Sequence, residues 1–183
     1  LKVAVPATPA DALGLLKTAI RDDNPVVFLE HKGLYTDKGD VPDGEHRVPF
    51  GQARMVRRGE HVTIVATQRM LSPALQAADA LDREGVSCEV IDPRTLVPLD
   101  LASVIESVKK TGRLITVEEN TRAGGWGADL VSRVVDEAVW YLEAPVVRVT
   151  MGETIIPFSL PLDDHITPDR DAVMQAVRRT LEV

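Results

Sequence analysis

Gly124-Gly125-Trp126-Gly127 is the stretch of this sequence whose residue types and spacing come nearest to a ligand-binding device. It follows the apolar run Leu114-Ile115-Thr116-Val117 and precedes an amphipathic segment. A strand, a Gly-rich turn and a helix in that order often cradle a phosphate on the free N–H groups of the helix start. Tested as a dinucleotide fingerprint, Gly125-Trp126-Gly127-Ala128-Asp129-Leu130 supplies two glycines and then Leu130, where close helix–sheet packing needs Gly or Ala. Asp129 would repel a phosphate from the first turn, and the strand Val146–Val149 ends without a ribose-binding acid. The favoured reading is a tight turn that lets another backbone or subunit approach, with Gly124, Gly125 and Trp126 as interface residues. A Trp at the head of a helix can equally belong to the chain's own core.

The other candidates are weaker. Glu118 and Glu119 stand at the carboxyl end of a strand, the usual ligand edge of an α/β sheet, but strand neighbours point to opposite faces and make a poor acid–base pair. A solvated or helix-capping role is expected for them. Arg94, between Pro93 and Pro98, could clamp a carboxylate or phosphate; pairing with Asp92 or with a neighbouring subunit is favoured. No serine lies in a G-x-S-x-G setting, and His31, His46, His61 and His165 have no metal-ligand spacing. The single cysteine, Cys88, falls in an apolar run and reads as packing. The residues assign no catalytic group and no cofactor ligand; they describe an assembly domain whose catalytic machinery is absent or elsewhere.

The elements that position these residues follow from periodicity. Thr8-Pro9-Ala10-Asp11 starts a helix, with Thr8 as N-cap and Asp11 in a capping box; Ala12, Leu15, Leu16, Ala19 and Ile20 form its stripe. Flanked by Leu1–Val5 and the short buried strand Val26–Leu29, it forms one β-α-β unit. Glu30–Phe50 is polar and Gly/Pro-punctuated, so a linker and a domain boundary are expected near Gly44. Ala53–Val56 and Val62–Ala66 flank Arg57-Arg58-Gly59-Glu60-His61 as a hairpin, which gives one antiparallel edge strand. Helices are expected from Ser72, with Gly85 as its stop, from Asp100 to Gly112, along Leu130, Val131, Val134, Val135, Ala138 and Val139, and from Thr167-Pro168. Asp92–Leu99 is neither helix nor central strand, with two prolines. Thr150–Thr167 reads as a loop. Alternation from Val62 onward predicts an α/β fold: a three-layer αβα sandwich on a mostly parallel five-stranded sheet with one antiparallel edge strand.

Composition bounds the function. The chain has 183 residues, 44% hydrophobic and 27% charged, with a net charge of −7. An acidic surface argues against nucleic acid and anionic membranes as partners. No apolar run has the length of a membrane span. The cytoplasm is the default compartment, with the mitochondrial matrix open as well. The chain begins at Leu1 inside what reads as a strand, so further residues are expected upstream.

Several segments, taken in order, resemble one family: Asp92-Pro93-Arg94-Thr95-Leu96-Val97-Pro98-Leu99-Asp100, Lys109-Lys110-Thr111-Gly112-Arg113, Glu118-Glu119 and Gly124-Gly125-Trp126-Gly127-Ala128-Asp129. They look like the transketolase C-terminal domain and, more narrowly, the beta subunit of the thiamine-diphosphate-dependent decarboxylase component of 2-oxo acid and acetoin dehydrogenase complexes. Residues 1–44 are similar to the end of that family's pyrimidine-binding domain plus a linker, and 45–183 to its assembly domain. The resemblance implies an α2β2 oxidoreductase using thiamine diphosphate and Mg. Its cofactor-activating glutamate belongs to a part that this sequence lacks, so the fragment is expected to be inactive and to bind no cofactor. It implies a structural potassium site matching the carbonyl of Ala19 with Asp22 and Asn24. It also implies docking of an acyltransferase component, for which Asp163 and Asp164 are the candidates, as acids in a loop facing a basic partner. Gly152–Ser159 departs from the family pattern, and pyruvate, branched 2-oxo acids and acetoin all stay open as substrates. The alternative is a stand-alone dimeric scaffold or ligand-sensing module of the same fold.

Overall fold

Parallel strands buried on both faces draw on β-branched and aliphatic residues, and that is where this chain places them. The computed structural model describes residues 1–182; Val183, the last residue of the expected assembly domain, lies outside the described residues. Five strands form the main sheet in the order β3-β5-β4-β7-β8: β3 (Arg54–Arg57), β4 (Val62–Ala66), β5 (Cys88–Asp92), β7 (Leu114–Thr121) and β8 (Val147–Met151). β4, β5, β7 and β8 are parallel, and β3 is the antiparallel edge. Helices α2 (Leu71–Asp82) and α6 (Arg170–Leu181) cover one face through Ala74, Ala77, Ala78, Leu81, Val173 and Val177. Helices α3 (Leu101–Thr111) and α4 (Trp126–Ala138) cover the other through Val104, Val108, Leu130 and Val134. A second, small sheet joins β1 (Lys2–Ala4), β2 (Val26–Phe28) and β6 (Thr95–Val97), with α1 (Pro9–Ile20) crossing over from β1 to β2. No helix among the described residues is long and apolar enough to cross a membrane.

Local signals act where expected at several ends. Thr8 caps α1 by accepting from the Asp11 N–H at 3.2 Å. Asp100 caps α3 through the Ser103 N–H at 3.2 Å, and Gly112 closes it in the left-handed region at φ 67°.

Several expectations require correction. β3 and β4 are not a hairpin: β3 pairs with β5, on the far side of β4. The connection crosses β5 so closely that a Cβ at Gly59 would overlap the backbone of Cys88 and Glu89, and the Gly59 N–H reaches Glu89 Oε2 at 3.3 Å. Glu89 is buried; burial pushes its carboxyl up, but bonds from Lys110, Ser107 and the Gly59 N–H outweigh that and hold it below its ordinary value. β2 is not a buried strand but half-exposed. β7 runs on through Glu118–Thr121, because the polar Glu118 finds a buried cation there. Thr95–Val97 is an edge strand of the small sheet, in line with a segment that can be neither helix nor central strand, and there a following proline costs no ladder bond. Asp163 and Asp164 lie not in a loop but on a short helix, α5 (Leu160–Ile166), and Asp169 rather than Thr167 caps α6. On α4 the stripe is narrower than its periodicity suggests: Leu130, Val134 and Ala138 are buried, while Val135 and Val139 are exposed.

Candidate functional site at the carboxyl ends of the strands

From β4 the chain steps to β5 on one side and later to β7 on the other, so the strand order reverses at β4. Neighbouring crossovers then diverge above the carboxyl ends of β4 and β7 and leave a crevice, the place where open α/β sheets bind ligands. A cleft of about 310 Å³ lies there. Its floor comes from Thr67, Gln68 and Met70 after β4, from Glu119 and Asn120 of β7, and from Met151 of β8; Trp126 stands at its side. Val5, Leu29 and His31 roof it from the first β-α-β unit, and Leu96 of β6 closes it. Gln68 holds the left-handed backbone region at φ 50°, and its amide donates to the Leu29 carbonyl at 2.7 Å. A non-glycine residue in that region costs of order 1 kcal/mol, which tertiary contacts must sustain.

The charged centre of the cleft is a relay of His31, Glu119 and Arg69. His31 Nδ1 accepts the Gly33 N–H at 3.0 Å, which leaves the proton on Nε2 to donate to Glu119 Oε2 at 2.7 Å. Glu119 Oε1 accepts from Arg69 Nη1 at 3.2 Å. Arg69 also faces Asp163 at 3.5 Å and Asp164 at 3.4 Å. Both nitrogens of His31 are thus committed. The imidazole has no free position to take a substrate proton and acts as a clasp between the first unit and the main sheet.

A second clasp lies behind it. Asp11, 2% exposed, meets Arg94 Nε at 2.9 Å and Arg54 Nη1 at 3.4 Å. Arg94 sits at φ 60°, and its N–H donates to Asp92 Oδ1 at 3.0 Å. Asp92 is buried with Oδ2 unpartnered, and burial pushes its carboxyl up to about 6. Arg94 therefore joins α1 to the turn between β5 and β6. The capping position predicted for Asp11 is kept by its N–H, which donates to Thr8 Oγ1 at 3.2 Å; its carboxylate accepts from the Thr8 hydroxyl at 2.7 Å and faces both arginines.

At the Gly-rich turn the geometry is explicit. Glu118, fully buried, accepts from Arg148 Nε at 2.9 Å and Nη2 at 2.6 Å, and from the Gly127 N–H at 3.1 Å. A Cβ at Gly125 would overlap Glu118 and come within 2.9 Å of Arg148; a Cβ at Gly127 would overlap Glu118 and come within 2.7 Å of Thr116 Oγ1. Gly124 turns at φ 73° in open space. The helix-capping role expected for Glu118 is the observed one, and it is buried rather than solvated. An internal carboxylate thus takes the position a phosphate would need, so the turn does not fit the diphosphate of a cofactor. Trp126 packs in part against the α3–α4 core.

The potassium positions do converge: the Asp22 N–H donates to the Ala19 carbonyl at 3.2 Å, and Asp22 Oδ1 accepts from the Asn24 backbone at 2.9 Å and from its side chain at 3.1 Å. The Lys2 ammonium bonds Asp22 Oδ2, and that bond, with those from Asn24, lowers the Asp22 carboxyl to about 2. With the Asp22 carboxylate already paired to Lys2, the donor set does not fit a further cation. No three His, Cys, Asp or Glu side chains converge as a metal site among the described residues. Cys88 is inert, its thiol pushed up to about 11 by burial. His31, Arg69, Asp11 and Arg148 were not singled out as site residues from the sequence. Their partners lie far off along the chain, and no local signal marks them.

Residues 51–173 match the transketolase C-terminal domain, and residues 1–38 match the transketolase pyrimidine binding domain. The pyruvate dehydrogenase E1 component subunit beta of Rickettsia felis is 45% identical over 98% of this chain and 55% of its own length. The beta subunit of acetoin:2,6-dichlorophenolindophenol oxidoreductase of Cupriavidus necator is 43% identical over 100% of this chain and 54% of its own. The Bacillus subtilis pyruvate dehydrogenase E1 component subunit beta is 43% identical over 100% and 56%. Among solved structures, a split-gene transketolase described as an inactive beta4 tetramer superposes with a TM-score of 0.80 at 28% identity, over 99% of this chain and 57% of that one. The chain spans about half the length of the curated relatives it matches. With the reversed strand order, the antiparallel edge β3 and the buried Glu118–Arg148 turn carried on a sequence that matches over two thirds of its length, this chain belongs to the transketolase C-terminal domain family.

Proposed function

We propose that this chain is the C-terminal part of the beta subunit of a thiamine-diphosphate-dependent dehydrogenase component acting on a 2-oxo acid or acetoin. The observation that carries the reading is identity of 43–45% over nearly all of this chain to subunits that bear those names. Thiamine diphosphate, with Mg, supplies the carbanion chemistry in the assembled enzyme, in residues beyond this chain. The residues here do other work. The His31–Glu119 and Asp11–Arg94 clasps lock the end of a pyrimidine-binding unit, residues 1–44, onto the assembly unit of residues 45–183. Such a lock holds whatever that unit carries at a fixed angle to the sheet, which is what positioning for catalysis requires.

The assembly is an α2β2 tetramer in the cytoplasm or the mitochondrial matrix, visited by an acyltransferase component. The Gly124–Trp126 turn faces a neighbouring subunit with Trp126 as its apolar contact. Asp164, largely exposed beside Arg69, with Asp163, offers the acidic edge for the basic acyltransferase. The test is co-expression of the complete beta chain that contains these residues with an alpha chain, followed by dichlorophenolindophenol reduction with pyruvate, a branched 2-oxo acid or acetoin. Thiamine-dependent turnover of one of them is expected. No turnover of any by a correctly assembled tetramer would overturn the reading. A stand-alone scaffold is the second reading, favoured by the solved neighbour's description as an inactive beta4 tetramer. Stable homo-oligomers that ignore the alpha chain would select it.

A further inference from the structure

β8 is the last strand of the main sheet and pairs with β7 alone, so alternate N–H and C=O groups of Val147–Met151 face outward. Outside the ladder, no backbone hydrogen bond reaches this strand among the described residues. A groove of about 540 Å³ runs along that open edge, between β8 and α6, floored by Ala172 and Ala176. Its charged rim is unlike the rest of a chain with net charge −7. Arg122 and Arg179 are exposed on it, and neither has an anionic partner among the described residues. Arg148 anchors its inner wall, held by Glu118 and donating Nη1 to the Arg122 carbonyl at 2.9 Å. Glu153 is the acid at the far end.

The geometry points to this edge as a docking site for an extended acidic segment of a partner protein, added to the sheet as a sixth strand beside β8. Main-chain bonds to Val147–Met151 supply the pairing, and Arg122 and Arg179 select acidic side chains on the outward positions. The two small alanines leave space for alternate apolar side chains over α6. An open edge without such a partner invites aggregation, and Val147–Met151 carries no proline to blunt it. The inference does not depend on the dehydrogenase reading, since it uses only the edge, the groove and its charge.

The test uses the 183-residue chain and a fluorescent seven-residue peptide of alternating Glu and Val. Saturable binding is expected, with slowed hydrogen exchange at Val147–Met151 and at least about tenfold weakening in Arg122→Gln/Arg179→Gln. Both arginines are exposed, so the variant keeps the wild-type melting profile, which is measured beside it. A peptide with alternate amides N-methylated keeps the charge and loses the strand bonds; it is expected to bind at least about tenfold more weakly. Equal binding of the methylated peptide would reduce the surface to an ion exchanger and overturn the proposal. Equal binding of a Lys/Val peptide, no saturable binding, or dimerisation through β8 that the acidic peptide cannot disrupt would overturn it as well.

Discussion

Glu118→Gln tests the account of the Gly-rich turn most directly. The wild-type carboxylate gives one oxygen to two Arg148 N–H groups and the other to the Gly127 N–H. In the amide, one oxygen can still accept from Arg148, but the NH2 group then points a donor at the Gly127 N–H. Orphaning that N–H costs about 1–3 kcal/mol. Removing the charge opposite a guanidinium that is 12% exposed adds to it. Full removal of one partner from a buried pair costs about 3–5 kcal/mol, and the retained amide oxygen reduces this. Together these give a loss of about 3 kcal/mol, or a melting temperature lower by about 6–12 °C for a chain of this size. Urea unfolding followed by circular dichroism measures it, in a cycle with Arg148→Met. The double variant is expected to cost at least about 1 kcal/mol less than the sum of the single ones. A Glu118→Gln protein within about 0.5 kcal/mol of wild type, or strict additivity in the cycle, would refute the reasoning.

Three further outcomes follow from the same geometry. The folded Asp92 carboxyl titrates near 6, above its ordinary 3.8, so its neutral form is stabilising and that contribution is lost as pH rises through about 6. Asp92→Asn should therefore gain stability relative to wild type between pH 5 and pH 8 (about 1.4 kcal/mol, the part of the loss that falls between pH 5 and the folded value of about 6), read from paired urea midpoints at about those two pH values; an unchanged difference would count against it. The Lys2–Asp22 bond contributes above pH 3.8 and is lost as pH falls through about 2; Lys2→Ala should raise the Asp22 carboxyl toward, but not fully to, its ordinary value in an NMR titration, because the Asn24 bonds remain, and exchanging potassium for tetramethylammonium should leave the wild-type melting temperature unchanged. Gly59→Ala drives a methyl into the Cys88–Glu89 backbone and should cost about 2–3 kcal/mol or more, with loss of soluble protein, whereas a true β3–β4 hairpin would tolerate it.

The sequence by itself determined the inventory. The spacing of apolar residues located α3, the inner line of α4, and α6. Thr8, Asp100 and Gly112 marked helix ends through bonds made within four residues, and alternation of strands and helices implied a parallel sheet before any pairing was visible. Each of those signals is local, because a cap or a 3.6-residue stripe works through its own turn and the next. What the tertiary structure decided was who meets whom. β3 left its sequence neighbour for β5 because Gly59 lets the connection cross that strand, and nothing within β3 or β4 encodes the crossing. Glu118–Thr121 is polar, with no apolar pattern to extend the strand, yet it stays in β7 because Arg148, 30 residues on, neutralises Glu118. His31 looked like a linker residue until Glu119, 88 positions away, was found against it. A charge alone in sequence is a surface residue by default, and it becomes a clasp or a cap when the fold brings its counter-charge within about 3 Å. That distance is a property of the packed sheet and its crossovers, not of any stretch of the chain.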